Sequence, residues 1–168
     1  MPREVASACL VIHNDPLAQH PLDATGFLTL DRLDVLIEAL MGVSAGEWMI
    51  AYWDGWSGIG PALRGTFGDR VFSLNLPRRG YLAAHAPLQE LHSFSHVGEP
   101  YVGPSLVAAT DRSALVVGDV DWSITYLGVS SGKLGEEVQS VFAWHGLTVD
   151  ATCDPLKPLP GFEVEADA

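Results

Sequence analysis

The sequence predicts an α+β domain: an antiparallel or mixed sheet of about five strands with two main amphipathic helices on one face. Two observations favour this class. Apolar residues recur at three- and four-residue steps in two long stretches, residues 30–41 and 132–145, as in helices with one buried stripe. Segments of strand character follow one another in adjacent runs and do not alternate with helices, which favours antiparallel pairing.

Length and composition indicate one globular domain. The chain has 168 residues, 48% of them apolar, and it contains no low-complexity tract, which argues against disorder. We expect a single domain over residues 1–168, with an irregular N-terminal segment over about residues 1–26 and a proline-rich, acidic tail over about residues 154–168.

The N-terminal half contains the clearest helix and a predicted hairpin. The helix over residues 30–41 has its apolar stripe on Leu30, Leu33, Leu36, Ile37, Leu40 and Met41. Residues 48–53 are aromatic-rich and predict a buried strand, whereas the five glycines and one proline of residues 54–68 predict a long flexible loop. Residues 71–76 alternate between apolar and polar and predict a strand that pairs with residues 81–86.

The C-terminal half predicts two strands, at residues 114–120 and 123–127, and then a helix that Ser131 can cap. Short strands are also expected at residues 10–12 and 147–149. The adjacent Asp111 and Arg112 suggest a local ion pair that fixes a turn.

Charge limits the classes of partner. The chain has 21 acidic residues against nine Lys and Arg, a formal net charge of −12, so nucleic acid is not expected to bind. An acidic chain fits a basic protein partner, and it fits general solubility as well. No apolar run approaches the roughly 18 residues of a membrane helix, and residues 10–12 are too short for a signal core, so a cytoplasmic location is expected.

Cysteine and histidine spacing gives no clear metal or redox motif. Cys9 and Cys153 lie at opposite ends of the chain without a CxxC spacing. His92 and His96 are four residues apart, as a helical metal site needs, but serines and a glycine around them favour solvent-facing loop histidines. We therefore predict no metal and no cofactor.

Three segments, WMIAYWDGWSGIG, LPRRGYLAAHAPL and PSLVAATDRSALVVGDVDWSITYLGVS, occur in this order over roughly residues 25–132. This order resembles an uncharacterised family of small actinobacterial proteins with a "WDG" strand end, an "LP-R-YLL-GPL" hairpin and an "ADRAW-VATEID--TYVGGS" strand pair. The chain departs from that pattern at Leu106, Val107 and Ala108, where the family usually has a tryptophan pair. The resemblance implies a bacterial origin and supports the predicted fold, but it implies no mechanism.

Two stretches match the nucleophile-elbow pattern G-x-S-x-G. Residues 42–46 follow a helix and precede a strand, the reverse of the order that the pattern needs. Residues 128–132 have the strand before and the helix after. However, His145 is the only histidine downstream and the chain is far too short for an α/β-hydrolase, so a glycine-rich turn with a serine cap is the plainer interpretation. The same turn faintly resembles a phosphate loop, although Leu134 stands where a magnesium ligand would be.

The candidate binding residues combine aromatic and acidic side chains. Trp53, Asp54 and Trp56 lead from a strand into a glycine-rich stretch, and tryptophan is enriched at binding hot spots, although it often simply fills a core. A second group lies on the later strand pair, where half of the side chains should face solvent. Its members are Asp119, Asp121, Trp122 and Tyr126.

Two functions remain open from the sequence. The first is a non-catalytic protein-binding module that uses these residues, such as an immunity- or antitoxin-like factor for a basic protein. The second is a small-molecule-binding protein or a small enzyme with a pocket between residues 54–68 and 119–126, to which His85, His92 and His96 would supply acid–base groups. The absence of a clear catalytic motif favours the first.

Overall fold

The computed structural model describes residues 8–13, 30–76, 79–91, 104–118, 124–145 and 149–150. Three α-helices lie in this part of the chain: α1 (Leu30–Met41), α2 (Ile59–Phe67) and α3 (Gly132–Trp144). A short 3-10 helix, Gly68–Arg70, follows α2, and a second, Leu88–Glu90, follows the strand Arg79–Ala86. None of the described helices combines the length and the apolar character that crossing a membrane would require.

Eight strands of the described residues form one sheet in the order β3-β4-β2-β5-β6-β7-β1-β8, and all neighbours are antiparallel. The strands are β1 (Ala8–His13), β2 (Trp48–Trp53), β3 (Val71–Leu76), β4 (Arg79–Ala86), β5 (Leu106–Ala109), β6 (Ala114–Gly118), β7 (Ile124–Val129) and β8 (Val149–Asp150).

The main core lies on one face of the sheet, which we call the helix-bearing face. Because side chains alternate along a strand, Trp48, Ile50 and Tyr52 of β2 all point to this face. They are fully buried there, in one cluster with side chains of all three helices. The helical members of the cluster include Leu36, Leu40, Leu63, Val138 and Phe142.

The opposite face of the sheet has a smaller apolar cluster. Its buried members are Ala51, Ala83 and Leu106, which lie side by side in one row across β4, β2 and β5. Larger side chains around this row are only partly buried, and they are Met49, Leu74, Leu76, Tyr81, Ala108 and Leu115. The two faces therefore differ in how deeply they bury large apolar groups.

The structure confirms the predicted α+β class, with an antiparallel sheet and both predicted amphipathic helices on one face. Ser131 caps α3 as expected, since its hydroxyl accepts a hydrogen bond from the Leu134 N–H at 3.2 Å. The sheet has more strands than the predicted five or so. The short strand expected at residues 10–12 lies within β1, which is longer than expected in a segment otherwise predicted to be irregular. The expected tail over residues 154–168 lies outside the described residues.

The predicted long loop over residues 54–68 is wrong, because residues 59–67 form α2. Its buried residues Ile59, Leu63 and Phe67 recur every four positions, which is a helical spacing. Gly58, at a φ of 79°, forms the N-cap, and Pro61 lies in the first turn, where a proline does not break a helix. The glycines and the proline thus mark the start of this helix.

Candidate partner-binding surface

Residues 53–56, which we call the tryptophan turn, connect the end of β2 to α2. Trp53 is the last residue of β2, and the Asp54 N–H donates to the Gly80 carbonyl at 3.1 Å. The Trp56 N–H then donates to the Trp53 carbonyl at 3.5 Å, and the Trp56 carbonyl accepts from the Ile59 N–H at 3.2 Å. These backbone hydrogen bonds fix the turn between a central strand and a helix.

The two indole rings of the turn contact each other edge to face. Their centroids are 5.7 Å apart and their planes meet at 79°. Such a pair contributes about 0.5–1.5 kcal/mol beyond the area that it buries. Both rings are half-buried, and Trp56 also packs against the main core. Trp56 therefore supports the core as well as the turn, which its position in the sequence did not reveal.

Two glycines make room for the turn. A Cβ atom at position 55 would overlap the Trp53 indole, so only glycine fits there without displacing the ring. A Cβ atom at position 80 would overlap the Asp54 carboxylate. The Asp54 side chain consequently lies directly over the β4 backbone, where it is exposed to solvent.

Arginine contributes a cation to the same surface. The guanidinium carbon of Arg79, at the start of β4, lies 5.7 Å from the Trp53 ring centroid, a cation–π distance. The face of Trp53 thus already accommodates a guanidinium group, next to the exposed Asp54 carboxylate.

The buried Ser105 forms hydrogen bonds that connect the Trp53 end of β2 to β6. The Ser105 hydroxyl accepts from the Trp53 N–H at 3.3 Å, and the Ser105 N–H donates to the Ala51 carbonyl at 2.8 Å. The Ser105 carbonyl accepts from the Gly118 N–H at 2.9 Å, so it links the ends of β2 and β6. Sequence reasoning missed Ser105, because this role depends on the strand order.

The sheet topology gives only part of the predicted site. Trp53, Asp54 and Trp56 lie together in the tryptophan turn. Tyr126 lies in β7, three strand positions from β2 or about 14 Å across the sheet. Asp119, Asp121 and Trp122 lie outside the described residues. Residues 119–123 connect Gly118 to Ile124, and both of these residues lie at the same end of the strands as Trp53.

Of the three histidines predicted to supply acid–base groups, only His85 is described, and it lies away from Trp53. His85 of β4 pairs with Met49, four residues along β2 from Trp53, or about 13 Å along the strand. Its ring contacts Phe72 edge to face, at a centroid distance of 5.3 Å. His92 and His96 lie outside the described residues. Within the described ranges, no three His, Cys, Asp or Glu side chains are placed to hold a metal ion.

The first G-x-S-x-G stretch forms a hydrogen-bonded turn. The buried Ser44 hydroxyl donates to Asp111 Oδ2 at 2.8 Å. The hydroxyl and the backbone N–H of Ser113 both donate to Asp111 Oδ1. These hydrogen bonds lower the pKa of Asp111, and the two from Ser113 have the largest effect. Asp111 thus fixes its turn through the two serines, and Arg112 adopts a left-handed φ of 64° there.

A strongly exposed aromatic residue lies at the end of a helix. Trp144, at the end of α3, is 86% exposed, and Met41, at the end of α1, is 49% exposed. Between the two helix ends, His145 Nε2 lies 2.9 Å from Glu38 Oε2. Sequence reasoning did not single out Trp144, although it falls outside the apolar stripe of α3.

Comparison of the chain with protein-family models, with curated proteins and with solved structures gives no match.

Proposed function

We propose that this chain is a non-catalytic protein-binding module for a basic protein, as an immunity- or antitoxin-like factor would be, and that it binds through the tryptophan turn. The observation that carries the proposal is the fixed Trp53–Trp56 pair beside the exposed carboxylate of Asp54.

The geometry of the turn favours binding for two reasons. Tryptophan is among the residues most enriched at binding hot spots, because its large ring buries much area with few rotatable bonds. Backbone hydrogen bonds already fix the turn and the two rings pack against each other, so little conformational entropy is lost on binding.

The electrostatics fit a basic partner. A lysine or arginine of the partner would approach the exposed Asp54 and the edge of Trp53, whose face already contacts the guanidinium of Arg79. The net charge of −12 would steer a cationic protein during the encounter. We include Asp119, Asp121 and Trp122 in the proposed surface, because their segment leaves and re-enters the sheet at the strand ends nearest Trp53. Tyr126, two residues after the segment re-enters, is the outermost member of that surface. A cytoplasmic location remains a prediction from the sequence.

Affinity capture from a lysate of the source organism, with three immobilised baits, tests this proposal. The baits are the native chain, Asp54→Lys and the matched control Asp69→Lys, which makes the same charge change at another exposed aspartate. We expect a basic protein to be retained by the native chain and by Asp69→Lys, and to be lost from Asp54→Lys.

Equal retention by all three baits would show that the tryptophan turn is not the contact. Failure of every bait to retain a protein would contradict the binding function itself. If, in addition, a metabolite raised the melting temperature of the native chain by mass action, the small-molecule-binding alternative would replace it.

A further inference from the structure

The sheet ends in a long edge strand. Among the described residues, β3 has β4 on one side and no strand on the other. An edge strand leaves every second backbone N–H and C=O unpaired in the ladder, and these groups can pair with another strand. The opposite edge consists of the two residues of β8 and of those β1 residues that β8 does not pair. Within the described part of the chain, the six residues of β3 are therefore the longest continuous unpaired edge.

The sequence of β3 has none of the usual protection against strand pairing. Its six residues, VFSLNL, include no charged residue and no proline, the residues that commonly block such edges. Phe72 is 37% exposed, and Ser73 and Asn75 are exposed as well. In a chain with a net charge of −12, this uncharged edge lets two copies approach without bringing carboxylates together along the strand.

Among the described residues, the two arginines that flank β3 are engaged within the chain. Arg70, directly before β3, forms an ion pair with Glu90 at 2.8 Å. Arg79, which follows β3 after two residues, lies over Trp53. Neither cation therefore needs a carboxylate from another protein beside β3.

The alternation of side chains in β3 is compatible with pairing to itself. Phe72, Leu74 and Leu76 share the opposite face of the sheet, and Val71, Ser73 and Asn75 share the helix-bearing face. A two-fold axis perpendicular to the sheet keeps these faces aligned in two copies. Ser73 would then lie opposite Ser73 or Asn75 of the second copy, and Phe72 opposite its Leu74 or Leu76. Phe72 and Leu74 would therefore meet apolar residues in both registers.

We propose that β3 pairs antiparallel with β3 of a second copy of this chain, which joins the two sheets into one continuous sheet. This contact is separate from the tryptophan turn, so the dimer and the proposed binding function can be tested independently.

Sedimentation of the native chain over a range of concentrations tests the dimer. We expect the mass to rise from that of one chain to that of two. The double variant Ser73→Lys/Asn75→Lys places lysines against each other in both registers, so it should keep the mass of one chain throughout. The matched control Gln89→Lys/Ala143→Lys adds the same charge at two exposed positions outside β3, and it should still dimerise.

Charge complementation makes the test specific to β3. The variant Ser73→Glu/Asn75→Glu should also be monomeric alone, and mixing it with the double-lysine variant should restore the mass of two chains. Hydrogen exchange of the native chain gives a second measurement that needs no substitution: the protection of β3 amides should increase with protein concentration.

Three results would overturn the proposal. The first is a native chain that keeps the mass of one chain at every concentration at which it stays in solution. The second is a dimer that survives both the lysine and the glutamate substitutions. The third is exchange in β3 that is independent of concentration.

Discussion

The central strand β2 buries large side chains on one face of the sheet and a small side chain on the other. On the helix-bearing face, β2 contributes Trp48, Ile50 and Tyr52, all fully buried beneath helices. On the opposite face the buried residue of β2 is the small Ala51, and the larger side chains around it are only partly buried. Most of the apolar stabilisation should therefore come from the helix-bearing face, because burial of large apolar groups dominates folding.

The largest effect that we expect is that of Leu36→Ala, in the middle of the buried stripe of α1. The side chain is fully buried in the main core, so its truncation should leave a cavity and cost about 2–5 kcal/mol of unfolding free energy. Denaturant unfolding of the native and variant chains measures this difference. A loss below ~1 kcal/mol would mean that the stripe contributes little to the core.

A smaller effect is expected for Asp111→Ala, at the turn between β5 and β6. The change removes the acceptor for the buried Ser44 hydroxyl and for two exposed donors of Ser113, and it should cost about 1–3 kcal/mol of unfolding free energy at neutral pH. Asp111→Asn is the companion variant, since it keeps an acceptor oxygen and should cost less. Equal losses for both variants would mean that the carboxylate charge matters more than the hydrogen bonds.

The same carboxylate should make stability depend on pH in acid. The hydrogen bonds lower the pKa of Asp111 in the folded chain, so the ionised carboxylate contributes fully to folding stability at pH values above the unfolded pKa of about 3.9. This contribution is lost as the pH falls through the lower pKa of the folded chain. The stability gap between the native chain and Asp111→Asn, measured by unfolding at a series of pH values, should narrow in that range. A gap that stays constant into strong acid would contradict this linkage.

The smallest stability effect should come from the opposite face. Leu115 of β6 is partly buried there, so Leu115→Ala should cost roughly 1 kcal/mol, well below Leu36→Ala. Chemical unfolding of both variants under one set of conditions gives the comparison. If the two losses were equal, the opposite face would be a second full core and the contrast between the faces would be wrong.

Local patterns in the sequence were sufficient to predict several elements. The stripes of α1 and α3, the aromatic strand β2 and the alternating β3 each repeat a period within a short window. Trp53, Asp54 and Trp56 could be proposed together for the same reason, since they are neighbours along the chain.

Elements with weak local signals were missed. The four residues of β5, LVAA, are short and alanine-rich, and alanine has a low strand propensity. Glycines and a proline obscured α2, although its apolar residues have a helical spacing. The role of Ser105 and the separation of Tyr126 from Trp53 depend on the order of the strands, which pairs segments far apart in sequence. No local pattern contains that information.

The association kinetics of the captured basic partner test the central claim, that the tryptophan turn binds it, most directly. The rates of the native chain, Asp54→Asn and Asp69→Asn should be compared at low and high salt. We predict that association slows as salt increases, and that at low salt Asp54→Asn binds several-fold more slowly than Asp69→Asn. An association rate that does not change with salt concentration and is the same for the two variants would contradict the claim.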